Sequence, residues 1–279
     1  MRVAAATAAM AQDVKVSACV LWMEQWGMRC RFDHLFKSPV LTLAGGQPFE
    51  LRDATRREAL ILARPQRLNM NLPRLVQRML FSDVIFSERV MPLRMEGFDF
   101  PAWASGGGRY LMHAYRDFYR WDVSLLPQLF IPKAEVGRLI DARCDSFGPH
   151  TIGVHIRRTD NQTSIDDSPL DLFLTEIDAQ ITKHDDTQIY LATDDEATKQ
   201  TLRRRYGNRI ITSPMHADRE SKDGIVEGLV EMYALSRTAR ILGSSGSTFS
   251  EMAAALGGKP LQVIVKDKSK PYESGLYTR

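Results

Sequence analysis

Cysteine is scarce in this chain: three among 279 residues, Cys19, Cys30 and Cys144. An odd number without close pairs excludes a disulfide framework and a cysteine-type zinc site, and it points to a reducing compartment. Long apolar runs are missing too. No stretch approaches the roughly 20 apolar residues that a membrane-spanning helix needs. The opening MRVAAATAAMAQ has one arginine and many small residues but no leucine-rich centre, so it is not read as a secretory signal. Charge of one sign is also lacking. Lys and Arg total 37 against 34 Asp and Glu, a net charge of +3. Basic residues are scattered, which argues against a nucleic-acid binder and sits easily with a small anionic ligand. Neither a Walker-type P-loop nor a strand-associated dinucleotide fingerprint occurs. Internal repeats and low-complexity tracts are absent.

What is present changes character along the chain. Val3 to Ala11 is Ala-rich and helical in propensity. Val16 to Trp22 reads as a buried strand, and RFDHLFKSP after it as a loop with a short helix. The Arg-rich stretch from Arg56 to Met95 mixes helical and strand signals. SGGGRYL, Ser105 to Leu111, reads as a turn. Pro132 stands near the start of a helix in which Val136, Leu139, Ile140 and Arg143 keep helical spacing. After Gly148-Pro149, strands alternate with helices. Strands are expected at Thr151 to Ile156, Gln188 to Ala192, Arg209 to Thr212, Arg240 to Leu242 and Leu261 to Val265. Helices are expected at Pro169 to Ile181, Glu196 to Tyr206, Gly224 to Arg237 and Thr248 to Leu256. That alternation predicts a parallel α/β sheet with right-handed crossovers.

In a parallel sheet all strands end on one side, and ligands bind beyond those carboxyl ends. Three expected strands end in polar chemistry. The first ends in Arg157, Arg158, Thr159 and Asp160; the second in Asp194 and Asp195; the third in Ser244, Ser245, Gly246, Ser247 and Thr248. The third turn enters a helix, with Thr248 as expected N-cap and Glu251 as its capping-box partner, and the helix stops at Gly257-Gly258. A Gly/Ser-rich turn at a helix N-terminus offers backbone N–H groups and a positive dipole end to an anion. Two arginines on a neighbouring strand end add bidentate donors. Together they suggest a diphosphate. Asp194 and Asp195 would repel it, so they serve another part of the ligand or orient the arginines. Each element has a blander reading. The arginines can be a solvated edge, the Ser-rich turn only a cap, Asp195 the cap of the next helix, and His155 a satisfied core histidine. Their joint placement on one sheet edge favours the site.

The same residues resemble a family. GVHIRRTDN (153–161), IYLATDD (189–195) and LSRTARILGSSGSTFSEMAAALGGKP (235–260) are similar to the motifs of the fucosyltransferase superfamily, and VLWMEQWGMRCRFDHLF (20–36) resembles a first-domain stretch of its bacterial members. The resemblance implies a GT-B-like α/β fold of two Rossmann-like domains facing a cleft. It places an acceptor-side domain at 1–147 and a nucleotide-sugar-binding domain at 148–279. It implies inverting transfer of fucose from GDP-fucose, without a metal or other cofactor, to a glycan, lipooligosaccharide or polysaccharide acceptor in bacterial polysaccharide biosynthesis. No nucleic acid partner is implied; the expected location is the cytoplasm, including the inner face of the membrane.

Residue by residue, the resemblance gives Arg157 the β-phosphate, Arg158 a supporting or donor-side role, and Asp160 a place beside them, these three being the catalytic set. His155, Asp194, Asp195, Ser245, Ser247, Thr248 and Phe249 fall on the donor side. Glu231 takes the guanine-reading position, with Glu227 one turn earlier as the fallback. Relatives open with a strand and a Gly-rich turn before the Ala-rich helix, so Arg2 stands at the end of that motif and an incomplete first domain is expected. An inactive nucleotide-sugar-binding remnant is the alternative reading.

Overall fold

Alanine dominates the first helix, Arg2–Val14, and explains its surroundings: Ala4, Ala5, Ala6, Ala8, Ala9, Met10 and Ala11 are all buried, since small side chains let neighbours approach from several directions. Lys15 ends it in the left-handed conformation, φ 57°. The computed structural model describes every residue except 25–27, 40, 43–45, 64–71, 160–161, 216–219, 268, 270–271, 273 and 279. Two compact units result. One comprises Met1–Gln25, Arg31–Ile131 and Tyr277–Arg279; the other comprises Trp26–Cys30 and Pro132–Leu276.

In the first unit, strands β1 (Ala18–Trp22), β2 (Leu41–Thr42) and β3 (Pro48–Asp53) form a sheet of order β1-β3-β2. β1 runs parallel to β3. As an edge strand it is only partly buried, which corrects the expectation of a buried strand there. β4 (Asp83–Ile85) and β5 (Tyr110–Met112) pair in parallel. The Arg-rich stretch resolves into helices Arg56–Ile61, Leu72–Leu80 and Ser87–Met95 around β4. The end of the chain belongs to this unit as well: Tyr277 N–H donates to the buried Asp117 carboxylate at 2.7 Å, and the Arg94 and Arg120 guanidinium groups lie 3.9 and 5.1 Å from the Tyr277 ring centre.

The second unit carries β6 (Ile152–Ile156), β7 (Ile189–Thr193), β8 (Ile210–Thr212), β9 (Arg240–Ser244) and β10 (Leu261–Ile264), all parallel, in the order β10-β9-β6-β7-β8. Alternate side chains serve two cores. Ile152, Val154 and Ile156 pack with Phe173 and Ile177 of the Leu170–Lys183 helix on one face. Tyr190, Ala192 and Ile241 pack with Ala234, Leu235, Ala253 and Ala254 on the other. Gly153 is required by close approach: a Cβ there would stand 2.8 Å from Leu235 Cδ2 and Thr238 Oγ1. The helix Ala134–Cys144 buries Val136 and Ile140 in this same unit, and its Arg143 reaches Glu227 on the Lys222–Ser236 helix. The main segment of the second unit runs from Pro132 to Leu276.

Candidate functional site

The order of the second sheet fixes where its ligand-binding crevice lies. From β6 the chain steps outward to β7 and β8, then returns to β9 and β10 on the other side of β6. Connections leave β6 and β9 in opposite directions, so their carboxyl ends form the topological switch point. Arg157 follows β6 and the Ser244–Thr248 turn follows β9. The two strand ends are tied together. Ser244 Oγ accepts from Arg157 N–H at 3.1 Å and donates to the His155 carbonyl at 3.4 Å.

The turn itself is shaped by glycine. At Gly243 an added Cβ would lie 2.5 Å from Ser250 Oγ, so the first turn of the following helix folds tightly over β9. Gly246 takes φ 64°, a conformation open to glycine without strain. The helix Thr248–Gly257 begins with Ser247 as N-cap, and Glu251 N–H to the Ser247 carbonyl is its first backbone bond. The N–H groups of its first turn are thus left for a ligand or solvent, and the dipole adds partial positive charge. The expected Thr248–Glu251 capping box does not form. Glu251 is buried and turned away, accepting from Tyr272 O–H and from Gly275 N–H at 2.9 Å. Gly258, φ 59°, ends the helix as expected.

His155 sits in this turn's support. One ring nitrogen, Nδ1, is 3.3 Å from Ser247 Oγ, and the ring stacks on Phe249 with centroids 4.8 Å apart. Burial pushes its pKa down to about 4, so at neutral pH it is an uncharged spacer that sets Ser247 and Phe249, not a phosphate-binding cation. Ser245 N–H is already occupied by Ser168 Oγ at 2.8 Å, which removes it from the set of anion donors.

The two arginines divide their tasks. Arg158 turns back: its guanidinium donates to the carbonyls of Ser168 at 2.8 Å and Ile165 at 3.3 Å. It thereby holds Ser168, the residue that in turn holds Ser245. Burial lowers its pKa, with Asp195 and Asp194 opposing. Arg157 is half-buried at the switch point. Asp194 binds the backbone of this loop, accepting from Arg158 N–H at 2.7 Å, Thr159 N–H at 3.3 Å and Thr159 Oγ at 2.7 Å. That is the orienting role. Asp195 is the N-cap of the Glu196–Tyr206 helix, accepting from Thr198 N–H at 2.7 Å; its pKa is lowered chiefly by a hydrogen bond from the Thr198 side chain, with the Thr198 and Ala197 backbone N–H groups adding to it against burial. Asp160 lies outside the described residues.

Beyond this turn lies a buried polar cluster around Glu227 and Glu231, whose partners Arg143 and Tyr190 the sequence did not announce. Arg143 pairs with Glu227 at 2.8 Å and donates to Tyr190 O–H at 3.3 Å. Glu231, one helical turn on, is buried without a hydrogen-bond or ion-pair partner among the described residues. Burial raises its pKa to about 8, Glu227 and Asp194 adding to the rise while Arg143 and Lys199 oppose it. A buried carboxyl with open acceptors suits a ligand that brings its own N–H donors. Lys199, also buried, is committed to the Ser213 carbonyl at 3.2 Å and to Glu196 at 3.5 Å. Among the described residues no group of three metal-ligating side chains is gathered.

No family model matches the chain, and no curated protein matches it in sequence. Solved structures do match. NodZ alpha-1,6-fucosyltransferase soaked with GDP-fucose superposes with a TM-score of 0.65 at 20% identity, over 97% of this chain and 91% of that one. The fucosyltransferase NodZ from Bradyrhizobium gives 0.61 at 18% identity, over 90% and 86%. POFUT1 in complex with GDP-fucose gives 0.55 at 10% identity, over 94% and 93%. At such identities the likeness is one of fold: this chain is built on the same α/β architecture as those structures.

Proposed function

We propose that this protein belongs to the fucosyltransferase superfamily and transfers fucose from GDP-fucose to a glycan acceptor, lipooligosaccharide or polysaccharide, by metal-independent inversion. The observation that carries the proposal is the pairing, at one switch point, of Arg157 with the open first turn of the Thr248–Gly257 helix. Glycosyl transfer loads negative charge onto the departing diphosphate. Fixed donors aimed at that charge lower the barrier because they need no reorganisation as it develops. Arg157 supplies a guanidinium on a backbone locked by Ser244. The 248–250 N–H groups supply the helix end. Glu231 reads the base: guanine presents two adjacent N–H donors, and this carboxyl has the unspent acceptors. Glu227 is spent on Arg143, which ranks it behind Glu231. Arg158, Asp194, His155 and Ser168 hold the loop.

Fucose transfer and donor hydrolysis, assayed with a panel of GDP- and UDP-sugars, test this reading. Arg157→Ala is expected to lower turnover of GDP-fucose by about 10²-fold or more. Near-wild-type turnover in that variant refutes the assignment. Tight GDP-fucose binding with no turnover in the unaltered protein would select the inactive binding protein instead.

A further inference from the structure

Between 56 and 80 the sequence carries six arginines and a single acidic residue, interleaved with leucine, isoleucine and methionine. The helix Leu72–Leu80 in this stretch is folded with its polarity reversed. Its buried residues are Pro73 and Gln77. Gln77 is fully buried: its amide nitrogen donates to the carbonyls of Ile61 at 3.0 Å and Ala63 at 2.9 Å, and its oxygen stands 3.1 Å from His113 Nε2. Its outward face holds Leu72, Leu75 and Met79, at i, i+3 and i+7, which are 58%, 61% and 79% exposed. Leu80 is exposed beside them. A helix folded only against its own unit turns its leucines inward. Gln77 also anchors this helix to the end of the Arg56–Ile61 helix, where Leu60 (76% exposed) and Ile61 add to the apolar surface.

Charge decides what covers it. At 100° per residue Arg78 borders one edge of the 72/75/79 stripe and Arg74 lies farther round on that same side, and Arg56 and Arg57 lie one turn before Leu60 and Ile61. The local acid is removed from the face, since Glu58 is held by Arg52 at 2.8 Å and by the Thr55 N–H in a capping box. Arg74 also has an ion pair with Glu88 at 3.8 Å, an exposed contact that leaves the surface basic. A second copy of the chain would bring the same arginines against these, which disfavours a symmetric dimer. Exposed apolar side chains rimmed by arginine match the boundary of an anionic bilayer, where acyl chains take the leucines and headgroup phosphates take the guanidinium groups.

We propose that the face formed by Leu60, Leu72, Leu75 and Met79, with Arg56, Arg57, Arg74 and Arg78, docks this protein on anionic membrane surfaces. The face owes nothing to the donor site, so it stands or falls separately from the transfer reaction.

The test is flotation of the full chain with phosphatidylcholine vesicles, pure or containing about a third phosphatidylglycerol. Binding is expected to the anionic vesicles alone, and to weaken several-fold between about 0.1 and 0.5 M salt. The double variant Leu75→Glu with Met79→Glu is expected to lose at least about tenfold in bound fraction. Its side chains point to solvent, so its unfolding curve should match the parent. Arg74→Gln with Arg78→Gln is expected to weaken binding and flatten the salt dependence. The proposal is overturned by equal binding to neutral vesicles, by no binding at all, by an unaffected glutamate variant, or by a concentration-dependent dimer that the glutamate variant abolishes.

Discussion

Raising the pH should tighten GDP binding, and the size of the effect follows from Glu231. Its carboxyl is buried beside Glu227, while the nearest guanidinium, Arg143, is already paired with Glu227. Its pKa lies at about 8, so near pH 7 the free protein holds it protonated. Guanine needs the carboxylate as acceptor for two N–H groups, so binding must expel the proton. With a pKa of about 8, affinity falls about tenfold for each pH unit below it and levels off above, which gives roughly 25-fold between pH 6.5 and pH 8.5. That window lies above the second phosphate ionisation near pH 6.

Calorimetry at pH 7 in two buffers of different ionisation enthalpy should find about 0.9 proton released per GDP bound. Glu231→Gln should bind more weakly, with no pH dependence in this window. The same group also affects stability. Its folded-state pKa is raised above the ordinary 4.5, so its stabilising effect is full below pH 4.5 and is lost as pH rises to about 8. The total loss is on the order of 5 kcal/mol, and Glu231→Gln removes the slope. A wild-type affinity that is flat with pH, or an equal slope in the Gln variant, refutes the reasoning.

Arg143→Met should destabilise the protein by about 3–5 kcal/mol in denaturant unfolding by stranding the Glu227 carboxylate, and adding Glu227→Gln should restore most of that. Gly243→Ala should cost about 1–3 kcal/mol, because its Cβ meets Ser250; Ser250→Gly in the same chain should recover part of the melting temperature. Ser168→Ala removes the acceptor for Ser245 N–H and the donor to the Ile264 carbonyl. It should lower stability by about 1–3 kcal/mol and weaken GDP binding together, whereas a purely structural role would leave affinity untouched.

Periodicity was enough to place the second unit. The Glu196–Tyr206 helix lies where its pattern put it, and the five strands fall within a few residues of expectation, because apolar runs between turn signals have few other ways to be buried. The shared strand edge followed from that alternation. What escaped the sequence depends on partners far along the chain. The Thr248–Glu251 box was sound local chemistry, yet Glu251 is captured by Tyr272 and Gly275. Ser168 gave no sign of being the brace for Ser245, 77 residues away. The Arg143–Glu227–Tyr190 cluster joins three elements whose spacing encodes nothing about their meeting. Helix 72–80 was ambiguous because its apolar residues face outward, against the rule by which amphipathic helices are recognised.

The return of Tyr277 and Thr278 to the first unit bears on how the chain is made. Asp117 is fully buried, and its acceptor oxygen waits for the Tyr277 N–H. Trp121, also fully buried, bridges to Thr278. On a ribosome the body of that unit emerges by Ile131, but its closing strap comes only after the whole second unit has been synthesised. At ordinary elongation rates this delay is roughly ten to thirty seconds. During it the Asp117 carboxylate lacks the Tyr277 N–H and the Trp121 backbone N–H lacks the Tyr277 carbonyl. Synthesis order thus makes the later unit a prerequisite for finishing the earlier one, and a nascent chain stalled before Tyr277 carries an unsealed core.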